Sequence, residues 1–236
     1  MLKGRPNGLP FFLTQGVAMI KVKDDKKSDK EKTEDNEKDE TSDLASMINM
    51  ALEKPELRAT AIYGDINEER CAEAIYSMLA LDLTGVHLEA SEEGEKLVAT
   101  PMEFYISSYG GQATEMFAVY DTMRDIRERI PIHTKGIGKV MSAGVLLLAA
   151  GTKGERRIGK HCRVMIHGVV AGQHGHIADI ENEFSETKNT QEMYIKALAE
   201  ETDMTQKYIK KLMERKTNVY LDAEEAVSLG IADIIV

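Results

Sequence analysis

An α/β fold is expected for this chain of 236 residues, and three observations predict it. From about residue 56 onward, strand-like apolar runs alternate with runs of helical period, the pattern of repeated βα units. Glycine, proline and capping residues separate the runs. Apolar residues make up 42% of the chain and charged residues 30%, enough for a sizeable core and too apolar for a wholly disordered chain.

Residues 59–63 form the first expected strand. Residues 67–83 carry Ala72, Ile75, Met78 and Leu79 at helical spacing. Residues 89–100 are polar and contain Gly94, as an inserted loop or hairpin would. A short apolar strand spans 102–106. Thr114 can cap the next helix, whose inner face is Met116, Val119, Tyr120, Met123 and Ile126, and Pro131 closes it. A strand at 132–138 leads to an all-apolar helix at 142–150 that must be buried. A strand at 162–166 follows, then a long helix from Asp179 to about Glu201 with Ile180, Phe184, Tyr194 and Leu198 as buried anchors. A helix at 205–215 precedes a capping box of Asp222 and Glu225, with Gly230 as the stop. Residues 231–236 read as a last strand. No internal sequence repeat is found.

Two regions differ in kind. Residues 21–43 are almost all Lys, Asp, Glu, Ser, Thr and Asn, so residues 1–50 are expected to be a flexible charged segment: a tail, a removed propeptide or a gate near a pore. The folded domain is expected over 51–236. The net charge of −10 argues against nucleic acid or anionic lipid as main partner. Two cysteines, Cys71 and Cys162, imply no disulfide framework and suit a reducing, cytoplasmic setting. The apolar N-terminal stretch is broken by Pro10, Gln15 and Gly16, so neither a signal peptide nor a membrane span is expected.

Three elements carry chemistry. Ser142 stands where a glycine-bearing strand meets the apolar helix, at a turn that exposes its hydroxyl near the amides of a helix start. Val140 occupies the first position of what would be a G-x-S-x-G elbow, which disfavours the hydrolase fold built on that motif. By itself such a serine is also an ordinary helix cap. His167 ends the strand 163–166, at the sheet edge where α/β sheets place function, and its imidazole can act as general base to a hydroxyl. Gly110 and Gly111, between strand and helix, can turn amides toward an oxyanion or merely make a tight turn.

Together, FYISSYGGQAT (104–114), GIGKVMSAGVLLLAAGTKGER (136–156), RVMIH (163–167) and LDAEEAVSLGIADIIV (221–236) resemble the ClpP family of serine peptidases over residues 59–236. The resemblance implies the ClpP/crotonase-like spiral of repeated β-β-α units with a protruding handle helix from Asp179. It implies Ser142 as nucleophile, His167 as base, and the amides of Gly111 and Ala143 as oxyanion donors. Val169, Val170, Ala171 and Gly172, in a strand running to Gly175, would pair with the substrate backbone. Polypeptide substrates, stacked heptameric rings and an AAA+ unfoldase are implied as partners, and no cofactor or metal.

Where the family has an aspartate as third triad member, this chain has Asn218, which can orient the imidazole but brings no charge. Glu214 and Asp222 are possible substitutes. Lys216 and Thr217 replace the family's acidic-basic pair, and Gly168 and Val169 its glutamine-proline. Two alternatives stay open: a capsid-maturation protease of related fold, and a weakly active or non-catalytic ring subunit. Lesser readings are a metal pair at His174 and His176, and a Ser-Lys dyad through Lys139 or Lys160.

Overall fold

Three parallel strands show a two-residue period of burial, and that period sets one sheet face against the core. The structure is a computed structural model that describes residues 57–91, 94–215 and 217–236. β1 (Ala59–Ile66), β4 (Met102–Gly111) and β5 (Ile132–Met141) pair in parallel. Met102, Phe104 and Ile106 of β4 are buried and alternate with half-buried Glu103 and Tyr105; Ile132, Thr134 and Gly136 repeat the pattern in β5.

β5 then forks. Lys135 and Gly136 pair with β6 (Arg157–Ile158), which carries β9 (Ile234–Ile235) on its far side. Lys139–Met141 pair instead with β7 (Arg163–Ile166), whose other edge takes β8 (Val219–Leu221) antiparallel. β2 (Val86–Ser91) and β3 (Gly94–Ala99) form a separate antiparallel hairpin. The polar insertion expected at 89–100 is thus a hairpin, beginning at Val86.

The helices are α1 (Glu68–Leu83), α2 (Ala113–Arg127), α3 (Ala143–Ala149), α4 (Ile177–Glu201), α5 (Gln206–Met213) and α6 (Ala223–Ser228). Every residue of α3 is buried: it lies on β4 and β5 and touches α2 and α4, which explains its lack of any polar side chain. The expected inner face of α2 is buried in full. The capping box of Asp222 and Glu225 forms, and Gly230 stops the chain at φ 70°.

Several expectations are corrected. Of the face expected for α1, Met78 is buried and Ile75 is half-buried against the core, but Leu79 and Ala72 are exposed, and Cys71 and Ala74 complete the buried face. Small apolar residues on adjacent rows make the two faces indistinguishable by period alone. α2 starts at Ala113 after Gln112, so Thr114 lies inside the first turn and bonds to Glu115. Tyr194 and Leu198 anchor α4, but Ile180 and Phe184 are exposed, because residues 177–186 of this helix lie on no other described element. Residues 169–175 form no strand: among the described residues they have no neighbour that supplies ladder hydrogen bonds. The last strand is only Ile234–Ile235. The charged segment 1–50 and Lys216 lie outside the described residues.

Asp233 ties β9 to the body. Its Oδ1 accepts from Arg156 Nη2 at 2.5 Å, and its Oδ2 from Arg156 Nε at 2.8 Å and the Gly154 amide at 2.7 Å. Burial by itself raises this carboxyl, but the hydrogen bonds and charge of Arg156 outweigh it and hold the group below its ordinary value. A folded-state value below the unfolded one stabilises at neutral pH, and that share is lost as pH falls through the depressed value. Asp233→Asn would leave Arg156, only 3% exposed, without its counter-charge, and should cost about 3–5 kcal/mol at neutral pH. Denaturant unfolding checks this: the gap to the parent chain should narrow in strongly acidic buffer, where the parent's carboxyl is protonated too.

Candidate active site

β5 runs into α3 through Ser142, and the junction is strained. Ser142 has φ 52° and ψ −121°, the only positive φ of a non-glycine among the described residues. Such conformations cost on the order of 1–3 kcal/mol and persist where the surroundings over-determine them. The Ser142 amide donates to the Met165 carbonyl at 2.8 Å. Its carbonyl accepts from the Val145 amide at 3.0 Å and from the Tyr194 hydroxyl at 3.0 Å. The side chain makes no capping bond to α3, so the hydroxyl is not serving as a helix cap.

The fork in β5 brings up the imidazole. Met141 stands beside Met165 in the β5–β7 register, and His167 follows two residues later, half-buried. Ser142 and His167 line one cleft of about 700 Å³, together with Gly110, Gly111, Ala143, Val169, Val170 and Tyr194. The β7–β8 register pairs Ile166 with Val219, and one further step sets Asn218 opposite His167. His167 and Asn218 also line a smaller cleft of about 320 Å³ with Gln191 and Met213. His167 is therefore common to the cleft that holds Ser142 and the one that holds Asn218. No hydrogen bond joins the three side chains among the described residues.

The glycine turn is fixed by close approach. A Cβ on Gly110 would stand 2.6 Å from the Ser142 Cβ, and one on Gly111 would stand 2.0 Å from the Ile66 carbonyl oxygen. Only glycines let the end of β4 lie against both β1 and the serine elbow. Ser108 Oγ accepts the Gly110 amide at 2.9 Å and shapes the turn. Ala143 is the first residue of α3, where helix geometry leaves an amide without an intrahelical acceptor.

Other expected site residues fall elsewhere. Ala171 and Gly172 are exposed and line neither cleft, unlike Val169 and Val170. Asp222 is spent on the α6 cap, and Glu214 is the exposed C-cap of α5; neither lines a cleft with His167. Lys139 sits over the rings of Tyr63 and Tyr109 at 5.2 and 4.6 Å; Tyr109 lines Ser142's cleft, but neither Lys139 nor Lys160 does. His174 and His176 are exposed, and no group of three or more His, Cys, Asp or Glu among the described residues could hold a metal. Burial pushes the Cys71 and Cys162 thiols up to about 11, so neither is a ready nucleophile.

Sequence reasoning missed three contributors. Tyr194 was expected only as a buried anchor. Ser108 is legible afterwards as a hydroxyl two residues before a turn glycine. Gln191, on α4, carried no signal, because its partner is the backbone of a distant segment. A cleft-lining, half-buried serine on a strained elbow, an imidazole in the same cleft and an amide-bearing glycine turn form a set suited to acyl transfer.

Among the described residues no helix is long and apolar enough to cross a membrane. Residues 46–236 match the family model described as Clp protease. The chain is also 35% identical over 173 residues to the ATP-dependent Clp protease proteolytic subunit 2 of Prochlorococcus marinus (strain NATL2A), covering 73% of this chain and 78% of that protein.

Proposed function

The chain belongs to the Clp protease family, with that family's α/β fold, and from this premise we propose that it is a serine endopeptidase using Ser142 as nucleophile and His167 as base. The observation that carries the reading is the strained elbow: a serine at φ 52°, its hydroxyl uncommitted, in one cleft with an imidazole.

Each step has a residue. His167 takes the Ser142 Oγ proton as the oxygen attacks a peptide carbonyl. The amides of Gly111 and Ala143 receive the oxyanion. His167 then gives its proton to the leaving amine, and the C–N bond breaks to leave an acyl-serine. Water, deprotonated by His167, releases the acid and restores the serine. Ser142 and His167 share a cleft with no hydrogen bond between them, which is compatible with this, since catalytic hydrogen bonds often close only on substrate. Val169 and Val170 line the cleft in an unpaired segment, which an extended peptide could pair with and order.

Assembly follows the same reading. Ile177, Ile180 and Phe184 form an exposed apolar stripe on the outer half of α4, suited to burial between rings of this chain. An ATP-driven unfoldase of the Clp type would deliver unfolded polypeptides to the enclosed chamber. Exposed, uncharged Asn218 favours one second reading, a subunit of reduced activity.

A fluorophosphonate probe tests the nucleophile. The expected result is one covalent adduct per chain, on the peptide that contains Ser142. An unlabelled protein, or an adduct elsewhere, would overturn the assignment. Native mass measurement on the same sample reads the ring.

A further inference from the structure

One turn of α4 holds both halves of the site. Gln191 and Tyr194 lie three residues apart and so face the same way. Tyr194, buried, gives its hydroxyl to the Ser142 carbonyl at 3.0 Å. Gln191 Oε1 accepts the Val169 amide at 3.1 Å, two residues beyond His167.

Each bond acts where the backbone has little else to hold it. Ser142 occupies a conformation that an L-residue leaves unless it is pinned. Two of its backbone bonds come from close at hand, the β7 carbonyl of Met165 and the first turn of α3. Among the described residues, the Tyr194 bond is the one hydrogen bond from α4 to the elbow. From Gly168 to Gly172 the chain has no regular structure, and among the described residues the bond to Gln191 is its one hydrogen bond. Burial pushes the Tyr194 phenol well above its ordinary value, so it is a donor at neutral pH.

We propose that Tyr194 and Gln191 are positioning residues: they index the serine elbow and the segment after the histidine to the same helix turn, and thereby set the separation of hydroxyl and imidazole. This rests on Ser142 and His167 being the nucleophile and base. Tyr194 also lines the cleft, so a mere lining role is the competing account. The two differ in what removal of one oxygen does. Lining depends on the ring, which phenylalanine keeps; indexing depends on the hydroxyl, which it lacks.

The test uses the full chain with Tyr194→Phe, Gln191→Met and Gln191→Glu, measuring kcat and KM on a fluorogenic peptide, the fluorophosphonate labelling rate and hydrogen exchange. Losing one hydrogen bond that positions the reacting groups should lower kcat and the labelling rate about ten-fold in Tyr194→Phe, with KM changed less than about two-fold. Gln191→Met should lower both in the same sense, and Gln191→Glu, which keeps the acceptor oxygen, should restore them. Exchange should quicken at 140–146 in Tyr194→Phe and at 168–172 in Gln191→Met. Unchanged kcat and labelling, or a KM effect alone, would overturn the proposal even if exchange quickened. A parent chain that takes no label would instead defeat the nucleophile assignment, and the positioning roles with it, while exchange still reported whether the two bonds exist.

Discussion

Ser142→Gly should abolish peptide hydrolysis and at the same time make the protein more stable. The first effect follows from losing the attacking oxygen, and loss of the nucleophile in a serine protease costs about 10⁶ in kcat. The second follows from the backbone. At φ 52° and ψ −121° the wild-type residue stores about 1–3 kcal/mol of strain, which glycine releases. Glycine also gains freedom in the unfolded chain, worth about 0.4–1 kcal/mol against it. The net expectation is a gain of about 1 kcal/mol. Ser142→Ala makes the needed contrast: it loses the same activity but keeps a Cβ, so its stability should stay near that of the parent. Denaturant unfolding of the three proteins decides the matter. If the glycine variant were no more stable than the alanine variant, the elbow would not be strained, and the strongest geometric argument for a functional serine would fall. If either variant still cleaved peptide at the parental rate, Ser142 would not be the nucleophile.

That strain was invisible in the sequence, although the residue that bears it was not. Ser142 stood out because it stands where a glycine-bearing strand meets an apolar helix, and His167 because it ends a short apolar strand. What sequence could not supply was the fork in β5. The strand pairs first with β6 and then with β7, and this switch sets the end of β7 beside the elbow. Periodic patterns were legible where one face is plainly apolar, as in α2, and where a helix has no polar residue, as in α3. They were half right for α1, where small residues blur the buried row, and failed for the outer half of α4. There the apolar stripe was real, but no described element of the single chain covers it. Residues 169–175 failed for a related reason, since a strand needs a partner and these have none within the described chain. In each miss, the missing information was a contact rather than a propensity.

Asn218→Asp should raise turnover, and the size of the rise measures how much charge the site lacks. The β7–β8 register sets residue 218 opposite His167, and both line the same small cleft. An asparagine there can accept the imidazole N–H through its oxygen. It can also turn its NH₂ inward and favour the unproductive tautomer, and in neither pose does it stabilise the imidazolium formed during attack. An aspartate does both jobs. The reverse change in another serine protease costs about 10⁴ in kcat, which bounds the effect from above. Residue 218 is exposed here, so solvent screens the new charge, and a rise of about ten-fold is expected instead. A carboxylate beside the imidazole favours its protonated form, so the acid limb of the pH–rate profile should move to higher pH. Stability should shift by less than about 0.5 kcal/mol, as for other exposed substitutions. Steady-state kinetics across pH on the two proteins gives all three readings. A fall in kcat with an unmoved acid limb would mean that residue 218 does not address the imidazole, and that the site works with two side chains alone or with a third that comes from elsewhere.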